Sequence, residues 1–122
     1  MKLEGQPYDV FEDSRGRIMK YDINGSRFNV LFTKKGALRS GDFHPAAQFD
    51  LVLSGTIEII QRLGKKSVSR KIKANEMIAI PKDVPHLFKS VTDSVVVEWW
   101  DGPFKAQYYK PYRDIVDKQL KK

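Results

Sequence analysis

The 122-residue sequence predicts an all-β fold, an antiparallel sandwich or small barrel, with one short helix at its end. Three observations carry this. Two alternating runs, residues 17–23 and 27–32, flank Asn24-Gly25, a pair suited to the two positive φ angles of a type I′ hairpin turn. Short apolar or alternating runs then recur at close spacing, most of them closed by turn-forming residues. Helical spacing occurs only at the end, where Tyr112, Ile115, Val116, Gln119 and Leu120 fall at i, i+3, i+4, i+7 and i+8.

Taken in order, strands are expected after the hairpin at 49–53, 56–62, 67–72, 77–80, 86–91 and 94–100. Ser54-Gly55, Leu63-Gly64-Lys65-Lys66, Ala74-Asn75, Pro81-Lys82-Asp83 and Thr92-Asp93 supply the turns between them. Leu51-Val52-Leu53 and Val95-Val96-Val97 are expected to line the wall, with Trp99 and Trp100 on alternate sides. Pro111 suits a first helical position, so a helix is predicted over about 111–121. Ile115, Val116 and Leu120 should pack it on the barrel exterior or on a second subunit. Lys118, Lys121 and Lys122 sit at the negative end of its dipole.

Composition narrows the function classes. Cysteine is absent, so a disulfide framework, a thiolate zinc site and a cysteine nucleophile are excluded. No apolar run approaches the ~18 residues of a transmembrane helix, and Met1–Glu4 carries no signal-peptide stretch, so a cytoplasmic protein is expected. With no repeat or linker, residues 1–122 read as a single domain. The net charge of +7 is uneven. Residues 1–61 hold 8 basic and 8 acidic side chains, whereas 62–122 hold 14 basic and 7 acidic. Lys65, Lys66, Arg70, Lys71 and Lys73 lack the interleaved aromatics of a stacking platform, so nucleic acid ranks last among partners.

The chain has only two histidines, and both fall in patterned surroundings. Counting from Gly36 gives Gly36-x5-Asp42-x-His44-x3-Gln48-x6-Gly55, spanning 36–55. A second segment, 75–90, reads Asn75-x5-Pro81-x-Asp83-x2-His86-x3-Ser90. Both segments resemble the two motifs of the cupin superfamily, G-x5-H-x-H-x3-4-E-x6-G and G-x5-P-x-G-x2-H-x3-N. Asp42 stands for the first histidine, Gln48 for the glutamate, and Asn75 and Asp83 for glycines. Ser90 stands for the asparagine. The resemblance implies a double-stranded β-helix, or jelly-roll barrel, whose mouth gathers Asp42, His44, Gln48 and His86. In metal-binding cupins the three histidines and one glutamate at these positions hold a divalent ion. Two imidazoles and one carboxylate have the composition of a facial triad, and by ligand type the ion would be Fe, Mn, Ni or Zn.

Each residue keeps a second reading. Asp42 is equally a turn residue after Ser40-Gly41, and Gln48 equally a polar wall residue. Arg39 is a clamp for a substrate carboxylate or phosphate, or else a solvated loop cation. Trp100 and Tyr108 are the aromatic candidates for the mouth, against a core role. The turn-rich segment 101–109 either closes the mouth or reaches a partner subunit. Three functions follow. The first is an enzyme of oxygenase, isomerase or lyase type acting on a compact polar metabolite. Without metal, it would use His44 or His86 with Asp42 as general base, as metal-free keto-sugar isomerases and epimerases of similar outline do. The second is a non-catalytic module that binds a small ligand such as a saccharide. The third, nucleic-acid association, ranks last. Exposed sheet edges and the habit of the family imply a homodimer.

Overall fold

The computed structural model describes residues 5–121; Met1–Glu4 and Lys122, which entered the readings of the leader and the helix dipole, lie outside that range. Among the described residues, eleven strands form two antiparallel sheets. They are β1 (Asp9–Asp13), β2 (Gly16–Ile23), β3 (Ser26–Thr33), β4 (Leu38–Phe43), β5 (Gln48–Ser54) and β6 (Thr56–Leu63). The rest are β7 (Lys66–Lys73), β8 (Met77–Ile80), β9 (His86–Ser90), β10 (Ser94–Trp100) and β11 (Gln107–Tyr108), followed by the helix α1 (Lys110–Leu120). One sheet runs β1-β2-β3-β10-β5-β8 and the other β11-β4-β9-β6-β7.

The hairpin turn is as the sequence predicts, with φ of 53° at Asn24 and 87° at Gly25. Asn75 and Asp83, in the glycine positions of the second motif, also take positive φ, 73° and 63°. Two strands escaped the pattern reading, and a third is legible only at its Asp42–His44 end. β1 (Asp-Val-Phe-Glu-Asp) has little apolar content, and β11 is two residues long. β4 is interrupted by Ser40-Gly41, which reads as a turn and is in fact a bulge, with Ser40 and Gly41 at φ of 72° and 79°.

The sheets enclose a core of Leu31, Val52, Ile57, Ile59, Ile72, Ile78, Ile80, Phe88 and Val96. Alternation corrects the expected wall. Only Val52 and Val96 of the two apolar triplets point inward, and their neighbours lie on the outer face. α1 covers the outside of the five-stranded sheet, setting Tyr112 and Val116 on Leu87, with Leu38, Ile60 and Leu120 around them. Ile115 does not join them; it is 46 % exposed. Gln119 fastens the helix to the start of β4, accepting from the Leu38 N–H (2.7 Å) and donating to the Gly36 carbonyl (2.8 Å). No helix among the described residues is long and apolar enough to cross a membrane.

Candidate metal centre

The centre is assembled by pairing β4 with β9. Asp42 and His86 are register partners across these strands, so their side chains share the inner face. His44 follows two residues after Asp42, and its carbonyl accepts the Asp83 N–H at 2.7 Å. The second-motif turn is thereby tied to the first motif. Arg39 and Asp42 are three residues apart and would face opposite sides of a regular strand. The bulge between Ser40 and Asp42 resets the alternation, and both line one cavity of about 390 Å³.

Gly41 makes this bulge possible. Its φ of +79° is left-handed, and a Cβ there would meet the Arg113 Cα at 2.8 Å and the Arg113 N at 2.9 Å. Gly41→Ala is therefore expected to cost about 2–4 kcal/mol and to loosen Asp42, as read by chemical denaturation.

The ligand atoms of Asp42, His44 and His86 lie within 4.8 Å of one another. Asp42 Oδ1 stands 3.5 Å from His44 Nε2 and 3.4 Å from His86 Nε2. Each imidazole gives its Nδ1–H to a backbone carbonyl, His44 to Lys105 (2.9 Å) and His86 to Val84 (3.0 Å). These bonds set the tautomers and leave both Nε2 atoms turned toward the carboxylate. Burial pushes the His86 pKa down to about 4, so it is neutral at physiological pH. Burial raises that of Asp42, against the attraction of His44 and Arg113.

Gln48 is buried, but its amide nitrogen is spent on Asp50, at 3.1 and 3.3 Å from the two carboxylate oxygens. It lines the same cavity as Asp42 and His44. Arg39 is no solvated loop cation. It is 3 % exposed, with Nε on Thr33 Oγ1 (2.8 Å) and Nη2 toward the Phe32 carbonyl (3.4 Å). Burial lowers its pKa to about 10, which leaves it charged. Trp100 points inward and sets its ring edge-on to His44, with centroids 5.5 Å apart. Tyr108 lies at the rim, 67 % exposed, under the Arg113 guanidinium at 4.5 Å. Segment 101–109 folds over the mouth of its own barrel. Phe104 packs on Trp100 (4.6 Å) and His44 (5.3 Å), and Lys105 supplies the carbonyl for His44.

Sequence reasoning missed two carboxyl groups. Glu98 lines the cavity and is the register partner of Asp50 on β5 and Asn29 on β3. Asn29 donates to Glu98 Oε1 at 3.0 Å. Burial, and then the neighbouring Asp50, push Glu98 up to about 8, and burial takes Asp50 to about 7. A signal was available. Each is a lone acid in an apolar strand, in phase with the inward-facing Val96 or Val52.

Four buried side-chain polar atoms have no partner among the described residues: Asp42 Oδ1, His86 Nε2, Arg39 Nη1 and Trp100 Nε1. Two are acceptors that face each other, and two are donors. Such atoms each cost roughly 1–3 kcal/mol unless something satisfies them. Ligand atoms bound to one first-row ion at about 2.0–2.2 Å stand some 3–3.5 Å apart. The Asp42–imidazole separations fall in that range, so the donor set fits a divalent metal.

No family model matches the chain, and no curated protein matches it. Solved structures do. The capsular polysaccharide assembling protein CapF of Staphylococcus aureus superposes with a TM-score of 0.74 at 19 % identity, over 85 % of this chain and 33 % of that one. CapF with the inhibitor 3-isopropenyl-tropolone gives 0.74 at 20 %, over 84 % and 34 %. Oxalate decarboxylase of Bacillus subtilis, whose Mn(II) centres have been studied, gives 0.69 at 13 %, over 86 % and 32 %. The chain thus spans about a third of the length of the chains it resembles, and identities this low speak for the fold alone.

Proposed function

The chain has the cupin fold, as CapF and oxalate decarboxylase do, and on that premise we propose that it binds one divalent metal ion through Asp42, His44 and His86 and uses it to hold a small anionic metabolite. The observation that carries this reading is the set of four unpartnered atoms. A cation would satisfy the Asp42 oxygen and the His86 nitrogen. An anionic oxygen ligand beside it would accept from Arg39 Nη1 and Trp100 Nε1. Arg15, Arg27 and Arg113, also on the cavity wall, are already paired with Asp13, Asp22 and Asp117. Arg39 is the wall arginine without a carboxylate in salt-bridge contact, so it is assigned the ligand's carboxylate or phosphate.

The ion, of the Fe, Mn, Ni or Zn class, would supply Lewis acidity toward such a ligand. The residues do the rest. The two Nδ1–H bonds hold the imidazoles in their ligating tautomer, and Phe104 with Trp100 keeps bulk water from His44. The comparisons fit this ligand class: oxalate is a small dicarboxylate, and a tropolone presents two adjacent oxygens. A metal-free general-base mechanism through His86 is less well supported. A pKa near 4 makes it a weak base at neutral pH. The active unit is taken to be a homodimer.

The test begins with protein stripped by a chelator and dialysed. One equivalent of Mn(II), Fe(II), Ni(II) or Zn(II) should raise the unfolding free energy by about 3 kcal/mol at a hundredfold excess over Kd. Oxalate, used as the probe, should bind the loaded protein and not the stripped one, and Arg39→Met should weaken that binding at least tenfold. Failure of all four metals to bind ends the metalloprotein reading. Binding of oxalate without any turnover of candidate acids would leave a ligand-binding module.

A further inference from the structure

Among the described residues, the cavity wall carries two acids, Asp42 and Glu98, and five Lys or Arg side chains. Four of those cations are held by aspartates: Arg15 by Asp13, Lys20 by Asp9, Arg27 by Asp22 and Arg113 by Asp117. Asp42 belongs to the metal centre. Arg39 and Glu98 remain, opposite in kind, and no salt bridge joins them to each other or to another described residue. Each is held instead by neutral groups, Arg39 by Thr33 and the Phe32 carbonyl, Glu98 by the Asn29 amide. That amide reaches Oε1 alone, at 3.0 Å, and Oε2 makes no hydrogen bond among the described residues. Glu98 also lies two residues before Trp100 on β10, so it shares the inner face with the unpartnered Trp100 Nε1. Its register partner on β5 is Asp50, which is buried and takes the Gln48 amide. Two adjacent carboxyls without a cation cannot both ionise, so the pair keeps a proton. Glu98 is the member of that pair on the cavity wall.

Resting on the metal and anion reading above, we propose that Glu98 meets the ligand as a carboxylic acid, giving its O–H to one oxygen group of a small anion whose other oxygen group is held by Arg39. A ligand of that kind is a dicarboxylate or a 2-oxo acid, and it enters together with one proton. The neighbours of Glu98 set where that proton sits. Burial, then Asp50 on β5, and more weakly Asp42 on β4, hold it on Glu98 and raise its pKa to about 8, while the Asn29 bond and Arg39 act against them. The four other cations of the wall are offset by their aspartates, and His44, Tyr8 and Tyr108 complete its titratable groups. A divalent ion on Asp42 would draw the Glu98 proton off more readily, and an anion bound beside that ion would return it. Anion binding and proton uptake are thereby linked.

Calorimetric titration of the Mn(II)-loaded protein with oxalate tests this between pH 6 and 8.5. Oxalate is fully ionised above about pH 6, so a proton taken up lands on the protein. The uptake is read from the dependence of the binding heat on the ionisation enthalpy of the buffer. For the wild type it should rise toward one proton at the upper end, where affinity should fall by up to tenfold per pH unit. Glu98→Gln offers an N–H that pH cannot remove and still accepts from Asn29. It should bind oxalate within about threefold of the wild type at pH 6, with no proton uptake and a flat profile. Glu98→Leu removes the donor and should weaken binding at least tenfold at pH 6; should it not fold, the proton count on the glutamine variant decides. Oxalate that binds both the wild type and Glu98→Gln with the same proton uptake overturns the role of Glu98 and spares the anion reading. Loaded wild type that binds no oxalate overturns both.

Discussion

Replacing Asp42 with asparagine is expected to abolish metal retention and, at the same time, to stabilise the metal-free barrel. The two effects have one cause. Asp42 Oδ1 is buried, has no hydrogen-bond donor, and faces the Nε2 atoms of His44 and His86 at 3.5 and 3.4 Å. The neutral His86 offers a lone pair there, so without a cation two acceptors oppose each other. Asparagine removes the buried charge and brings an N–H that can donate to His86 Nε2, worth about 1–3 kcal/mol. It also removes the only anionic ligand in the set. Metal affinity should fall by more than about 100-fold, beyond what outer-shell changes usually produce. Metal titration and thermal unfolding in chelator check the two halves separately. Stoichiometric metal in the Asn variant would remove Asp42 from the ligand set, and a less stable stripped variant would refute the account of the unpartnered atoms.

The second large effect concerns Glu98 and Asp50. Their pKa values are raised by burial to about 8 and about 7 in the folded chain, and return to the ordinary carboxylate range on unfolding. Between those limits the folded state binds protons that the unfolded state releases, so stability must fall as pH rises. Each extra proton held by the fold contributes a slope of about 1.4 kcal/mol per pH unit. Below pH 6.5 the slope is partly offset, because unfolded histidine takes a proton that His86 refuses until about pH 4. The steepest decline is therefore expected near pH 6.5 to 7, where both carboxyls still hold protons and unfolded histidine has largely lost its own, and it fades to a plateau above pH 8. Because the carboxyls are adjacent, the steps belong to the pair. Glu98→Gln keeps an acceptor for Asn29 and removes one titration. It should match the wild type near pH 5 and exceed it by a few kcal/mol at pH 9. Denaturant unfolding of stripped protein across this range is the measurement, and parallel curves for the two proteins would show that Glu98 does not titrate as described.

Much of the fold was legible because strand signals are local. The Asn24-Gly25 turn needs two positive φ angles and names residues that accept them, and period-two runs mark strands whatever their partners. The helix was legible by the same logic, although its pattern could not tell that Ile115 would stay in water while Tyr112 and Val116 met the sheet. The segments that failed were those whose conformation depends on a neighbour. β1 and β11 are held as strands by pairing with β2 and β4 rather than by composition.

The sequence by itself determined the all-β class, the main hairpin, the final helix and the spacing that puts Asp42, His44 and His86 in two motif segments. These follow from short-range sterics and residue counting, which need no knowledge of what lies across the barrel. Tertiary structure decided the rest. The Ser40-Gly41 bulge turned Arg39 inward beside Asp42, a reversal that strict alternation forbids and that Gly41 permits under Arg113. Pairing of β10 with β3 and β5 set Glu98 beside Asp50 and Asn29, residues distant in sequence. Register also left the outer face of the six-stranded sheet apolar at Val30, Val97, Leu51, Phe28, Trp99 and Phe49, while its inner face carries Asn29, Asp50 and Glu98 beside the core. No local pattern shows which side of an alternating strand will find a cover, because that depends on where the chain places α1.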